Sequence, residues 1–355
     1  MTNFTYTGLP SRIVFGSGTL GAVGDEVSRL GGNRVLLLAG PRLESLAADL
    51  TAQLGTRVVA RFDGAAMHTP LEVTTRAMEL AEAAAVDCVV AIGGGSATGL
   101  SKALAVRGGY NQIIVPTTYA GSEVTPVLGE TVNGVKTTRS SADILPETVI
   151  YDVDLTLDLP AAITLTSSIN ALAHAVEALY SAERNPVTDL MALEAVASIT
   201  RALPRVIADL HNTDARADLL RAAWLAGSCL GTVGMGLHHK LCHTLGGSFG
   251  LPHAPTHTVV LPHAMAYNAP AAASAMERIA DAMGVPDAAA GVFDLVASLG
   301  GPLSLTELGF DTESIPRACE LATAKPYPNP RPVTPSGIGG LLADATSGSR
   351  PTAKS

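Results

Sequence analysis

Hydrophobic positions in the first part of the chain fall in short, β-branched runs: RIVFG at 12–16, RVLLLAG at 34–40, RVVARF at 57–62, CVVAIGG at 88–94, QIIVPTT at 112–118 and TVIYD at 148–152. Between several of them lie stretches with helical spacing, such as LESLAADLTAQL and TTRAMELAEAAA. Apolar strands alternating with helices predict a parallel sheet covered on both faces. Past Asp154 the strand-like runs stop. From Leu159 onward the chain consists of Ala- and Leu-rich segments broken by Gly and Pro, among them INALAHAVEALYSA, DLMALEAVASITRAL, DLLRAAWLAGSCLGTVG and AMERIADAMG. These predict an all-helical second domain. The expected division is an α/β domain over 1–157 and a helical domain over 158–355. The polar tail TSGSRPTAKS is expected to fray.

Composition narrows the class. A chain of 355 residues is long for one core and suits two domains. Apolar residues make up 47%, yet charge, Gly or Pro interrupts every run before the roughly 18 residues a membrane helix needs. The start, MTNFTYTGLPSRIVF, lacks a basic region followed by an apolar one, so no signal peptide is expected. A soluble cytoplasmic protein is the expectation. The net charge of −9 without a basic run argues against nucleic acid as a partner. Cys88, Cys229, Cys242 and Cys319 are scattered, never form C-x-x-C, and read as free thiols.

Two glycine patterns follow strand-like runs. Gly16-Ser17-Gly18-Thr19-Leu20-Gly21 has the G-x-G-x-x-G form, but the next strand ends at Ala39-Gly40 without the acidic residue a dinucleotide fold places there. It reads as a turn before a helix. In AIGGGSATGLSKAL an apolar strand runs into Gly93-Gly94-Gly95-Ser96 and then a helix. Three glycines let a backbone approach a pyrophosphate, and a helix start adds N–H donors and a favourable dipole. The next strand ends in VPTTYAGSE, with the hydroxyls of Thr117, Thr118, Tyr119 and Ser122 where open α/β sheets bind ligands. The two loops together suggest one nucleotide crevice and a dinucleotide-binding role for the α/β domain.

The helical half concentrates histidine. Six of the nine histidines lie between 238 and 263, four of them in HHKLCHTLGGSFGLPH: His238, His239, His243 and His253. Upstream, Asn170, His174 and Glu177 share one face of a helix. His239 and His243 repeat the four-residue spacing. A lone buried histidine is usually a hydrogen-bonded core residue, but this density points to a functional cluster, whether metal site or acid–base site.

The GGGS turn, PTTYAGSE, the Asn-x-x-x-His helix, and H-x-x-x-H followed by PH and LPH resemble the iron-containing alcohol dehydrogenase superfamily over nearly the whole chain. PTTYAGSEVTPVLGETVNGVKTTRSSADILPETVIYDVDLTLDLP, INALAHAVEALYS and HHKLCHTLGGSFGLPHAPTHTVVLPHA are similar, within it, to the maleylacetate reductases. The resemblance implies the dehydroquinate synthase-like, iron-type alcohol dehydrogenase architecture. It implies NADH- or NADPH-dependent reduction of 2-maleylacetate to 3-oxoadipate in aromatic compound degradation, and a homodimer. Metal-dependent members of the superfamily offer an aspartate and three histidines; the matching positions here are Asn170, His174, His239 and His253. A neutral amide in place of the carboxylate weakens any divalent site, and the maleylacetate reductases are regarded as working without a metal. None is expected here.

The resemblance also distributes roles. Gly94, Gly95 and Ser96 would take the cofactor pyrophosphate, Thr117, Thr118 and Ser122 would line its inner half, and Lys136 would lie near its ribose. Tyr119 would touch the cofactor or shape the pocket. The nicotinamide would lie in the cleft between the domains. His243 or His253 would stabilise an enolate or supply a proton, while His174, His239 and Asn170 orient the substrate. A small dicarboxylate needs cations, with Lys240 and Lys136 first and Arg139, Lys325 and Arg331 behind them. Without an acid at Ala39-Gly40, NADPH is not excluded. Chlorinated maleylacetates are left open. The rivals are a metal-dependent alcohol or polyol dehydrogenase and a dehydroquinate-synthase-like lyase.

Overall fold

In the computed structural model, which describes residues 3–132 and 135–352, the six apolar runs hydrogen-bond into one sheet. Its strands are β1 (Arg12–Gly16), β2 (Val35–Ala39), β3 (Val58–Phe62), β4 (Cys88–Gly93), β5 (Asn111–Pro116) and, last in the chain, β8 (Thr148–Asp152). All pairs are parallel, in the order β1-β8-β5-β4-β2-β3. β2, β4 and β8 are buried along their whole length. That is why their sequences are continuous apolar runs rather than alternating ones. Helices α1 (Val23–Arg29), α2 (Glu44–Leu54), α3 (Leu71–Ala83) and α4 (Gly95–Gly108) connect strands. Val23, Val27, Ala47 and Leu50 pack with Leu37, Ile92, Val115 and Ile150 in one core.

An antiparallel hairpin, β6 (Val127–Val132) and β7 (Val135–Ser140), lies outside this sheet and was not expected from the sequence. A buried lysine anchors the segment that leads into it. Lys102 on α4 is 2% exposed. Its Nζ donates to the carbonyls of Ser122, Thr125 (2.7 Å) and Val127 (3.0 Å) and to Thr125 Oγ1 (3.0 Å). The G-x-G-x-x-G segment is a turn in which the amides of Gly18 and Leu20 are already engaged. The N–H groups of Gly18 and Leu20 donate to the Asp152 carboxylate at 3.0 and 2.8 Å.

The chain divides into two compact units, Leu9–Leu159 and the residues from Pro160 onward, the latter including the segment ahead of Leu9. The second unit holds α5 (Ala161–Tyr180), α6 (Pro186–Ala208), α7 (Thr213–Val233), α8 (Leu237–Phe249), α9 (His253–Asn268), α10 (Ala273–Met283), α11 (Ala288–Ser298), α12 (Ile315–Thr323) and α13 (Pro335–Ser347). α5 is the central helix, packed on α6, α7 and α9, and buried without interruption from Thr164 to Tyr180. It tolerates buried hydroxyls because they bond back along the helix: Thr166 to Ala162 (2.9 Å) and Ser168 to Thr164 (2.7 Å). Truncating a buried leucine here, such as Leu172→Ala, would cost about 2–5 kcal/mol. The four cysteines are free and buried. Among the described residues no helix is long and apolar enough to cross a membrane.

Candidate active site

Three helices assemble the histidines. Asn170 and His174 lie one turn apart on α5, and His238, His239 and His243 lie on α8. α8 ends at Gly250, whose φ of 71° is left-handed and suits glycine. Pro252 then starts α9, with His253 its first residue and His257 one turn further. This tight turn returns the chain so that α9 packs on α8.

The rings form a contiguous set. His174 and His239 stack at 5.0 Å between centroids. His239 meets His243 at 6.2 Å and His257 at 5.0 Å, both edge-on. His253 lies 4.4 Å from His257 and 6.3 Å from His243. His243 and His253 are partly exposed, whereas Asn170, His174, His238, His239 and His257 are buried. The outer pair is therefore the part of the cluster a ligand meets first.

Behind them stands a carboxylate. Glu177, 1% exposed on α5, accepts from the backbone N–H groups of Gly236 and His238, each at 2.8 Å. Its Oε2 also lies 2.7 Å from His239 Nδ1. Gly236 is the N-cap of α8, which has no side-chain cap of its own, so Glu177 satisfies amides that would otherwise be orphaned there. Glycine at 236 leaves room, since a Cβ would stand 3.0 Å from Glu177 Oε1.

His238 and His257 form a second buried pair, Nε2 to Nδ1 at 2.9 Å. Burial, reinforced by neighbouring imidazoles, pushes both pKa values well below 6.5, so both rings are neutral near pH 7. With Cys242 they place three possible ligand atoms within 4.8 Å of one another. Two nitrogens 2.9 Å apart share a hydrogen bond; ligands on one tetrahedral zinc, about 2.0–2.1 Å from the metal, sit further apart. The trio is therefore a hydrogen-bonded set.

A divalent ion at Asn170, His174, His239 and His253 would meet three imidazoles and an amide, with no anionic ligand to balance its charge. Glu177, the carboxylate nearest in the chain, is engaged on His239 Nδ1 and the α8 amides. The missing anionic oxygen weakens any divalent site here.

In the α/β unit, Gly93 of β4 pairs with Pro116 of β5, so the two polar loops leave the sheet side by side. Thr117 N–H donates to the Gly93 carbonyl at 3.0 Å. A Cβ on Gly94 would stand 2.9 Å from Thr118 Cγ2, whereas one on Gly95 would meet nothing within 4 Å. α4 starts at Gly95 without a side-chain cap. An uncapped helix start beside open space favours a bound anion, and its chemistry fits a pyrophosphate. Ser96 and Ser122 are partly exposed; Tyr119 is wholly buried.

Of the candidate cations, Arg331 donates to the Tyr267 carbonyl at 3.0 Å and stacks over its ring, and Arg139 pairs with Glu130 at 3.6 Å. Lys325 is exposed, and Lys240 is half-buried beside His239. Lys136 falls on β7, but its side chain lies outside the described residues. The role of Glu177 and the pairing of His238 with His257 were not expected from the sequence. The signals were there: Glu177 shares a helix face with Asn170 and His174, and His257 repeats the four-residue spacing from His253.

This pairing of a parallel α/β unit with a helical unit carrying a histidine cluster belongs to a known class. The model of the iron-containing alcohol dehydrogenases matches residues 10–153, and that of the family's C-terminal part matches residues 164–346. The chain belongs to the iron-containing alcohol dehydrogenase family and, within it, to the maleylacetate reductases. It is 57% identical to maleylacetate reductase 1 of Rhodococcus opacus, covering 99% of this chain and 98% of that one. It is 52% identical to the maleylacetate reductase of Rhizobium sp. strain MTP-10005, over 99% of this chain and 100% of that one. The crystal structure of maleylacetate reductase from Agrobacterium tumefaciens superimposes with a TM-score of 0.94 at 51% identity, covering 99% and 100% of the two chains.

Proposed function

We propose that this chain reduces 2-maleylacetate to 3-oxoadipate with NADH or NADPH, and does so without a bound metal. The observation that carries the metal-free reading is Asn170, a neutral amide one turn before His174 among imidazoles. The substrate is a dicarboxylate whose carbon–carbon double bond is conjugated to a ketone. A reduced nicotinamide supplies hydride when bound, its pyrophosphate on the amides of Gly95 and Ser96 beside Gly94.

An alkene conjugated to a carbonyl accepts hydride at carbon while negative charge moves to the carbonyl oxygen as an enolate. Positioned donors stabilise such charge without a Lewis acid. His243 and His253, the partly exposed rings, carry this role: one holds the enolate oxygen and one delivers the proton to carbon. His174, His239 and Asn170 orient the substrate. Lys240 is the cation placed for a carboxylate. Ala39 and Gly40 at the end of β2 offer no carboxylate to repel a 2′-phosphate, which supports use of either cofactor.

The test is loss of NADH and NADPH absorbance with maleylacetate, in the presence and absence of a chelator. Turnover that survives chelation is expected. Activity abolished by chelator and restored by iron or zinc would establish the metal-dependent reading. Failure to oxidise either cofactor would point to the lyase.

A further inference from the structure

The cluster contains a buried carboxylate that the reaction as described does not use. Glu177 Oε1 accepts the His238 N–H and Oε2 accepts the Gly236 N–H, both at 2.8 Å. Backbone amides only donate, so both oxygens are committed as acceptors. His239 Nδ1 lies 2.7 Å from Oε2. Two acceptors cannot bond each other, so the proton of this contact sits on Nδ1. His239 Nε2 is buried and has no hydrogen-bond partner among the described residues, and its ring packs against His174, His243 and His257.

We propose that Glu177 is a positioning residue for the reduction: it holds His239 as the Nδ1–H tautomer and so turns the bare Nε2 toward the substrate. The assignment rests on reading the cluster as the substrate site. The maleylacetate dianion offers no hydrogen-bond donor, so this acceptor nitrogen repels its oxygens and orients the substrate by exclusion. Donation to the enolate oxygen then rests with His243 and His253, the pair already given that role. The carboxylate sets this from α5 while capping α8, so the tautomer is built into the packing of two helices. A carboxylate on the far nitrogen of an imidazole fixes ring orientation and tautomer in metal sites and in hydrolase triads alike. Here it acts with an amide, Asn170, standing one turn before His174.

The direct test is long-range proton–nitrogen correlation spectroscopy of the 15N-histidine-labelled full chain, with His239 assigned by loss of its signals in His239→Asn. The expected result is a protonated Nδ1 and a bare Nε2. A bare Nδ1 with a protonated Nε2 would overturn the proposal without any variant of Glu177. In Glu177→Gln the amide can donate to His239, as an asparagine does when it replaces the triad aspartate. The protonated nitrogen should then exchange, and kcat for maleylacetate should fall about 100-fold with KM changed less than about threefold. Glu177→Asp, which keeps the acceptor, should recover part of the loss. Unchanged tautomer and unchanged kcat in Glu177→Gln would also overturn it. If the wild type fails to reduce maleylacetate, the functional reading falls while the tautomer measurement still decides the geometry.

Discussion

A β-carbon on Gly94 would stand 2.9 Å from the Thr118 methyl, so the loop after β4 and the loop after β5 touch at a point where only glycine fits. Gly94→Ala must push Thr118 away or shift the start of α4. The expected outcome is a rise of about tenfold in KM for the nicotinamide cofactor, with a loss of about 1–3 kcal/mol of stability from the overpacking. Gly95→Ala, with open space beside it, should disturb folding less but still crowd a phosphate. Cofactor titration by fluorescence checks both.

Asn170→Asp restores an anionic oxygen beside His174, in a cluster where Glu177 already holds His239 Nδ1. Affinity for zinc or iron should rise by at least roughly tenfold over the wild type. Metal analysis after dialysis, together with calorimetric titration of the unsubstituted chain, reads this directly. Equal metal content in the two proteins would show that the amide is not what sets metal affinity.

Acid should weaken the helical unit through His238 and His257. Burial holds both below the ordinary value of 6.5, so the folded state binds fewer protons than the unfolded one in the window beneath it. Their contribution is fully present above pH 6.5 and is lost as pH falls through and below it. The slope is at most about 1.4 kcal/mol per pH unit for each ring. Melting curves from pH 8 to 5.5 should show the decline, and the double replacement of both by Gln should flatten it, whatever its absolute stability.

Lys102→Met leaves the carbonyls of Ser122, Thr125 and Val127 without their shared donor. A loss of about 1–3 kcal/mol is expected, since the Ser122 carbonyl keeps the Thr125 N–H and hydroxyl as donors while the others lose the ammonium. Urea denaturation measures it, and hydrogen exchange should localise the loosening to the segment between β5 and β6.

The sheet was readable because β2, β4 and β8 are buried on both faces and therefore written as unbroken apolar runs. β6 and β7 were not, because VLGETV mixes Gly, Thr and charge with partial burial, and Thr137 to Ser140 of the next strand are exposed. Asn170, His174, His239, His243 and His253 stood out by helical spacing and by the Gly250–Pro252 turn. The pairings among polar groups were invisible for a different reason. Glu177 meets His239 across 62 positions, His238 meets His257 across 19, and Gly18 meets Asp152 across 134. Spacing along one helix says which side chains share a face; it does not say what packs onto that face.

Asp152, at the end of the last sheet strand, fills the G-x-G-x-x-G turn with a carboxylate belonging to the chain itself. A consensus that elsewhere receives a cofactor works here as an internal rivet between the first and last strands of the sheet. Engineering aimed at that turn would loosen the edge of the sheet, because it would cut the tie between Asp152 and the Gly18 and Leu20 amides.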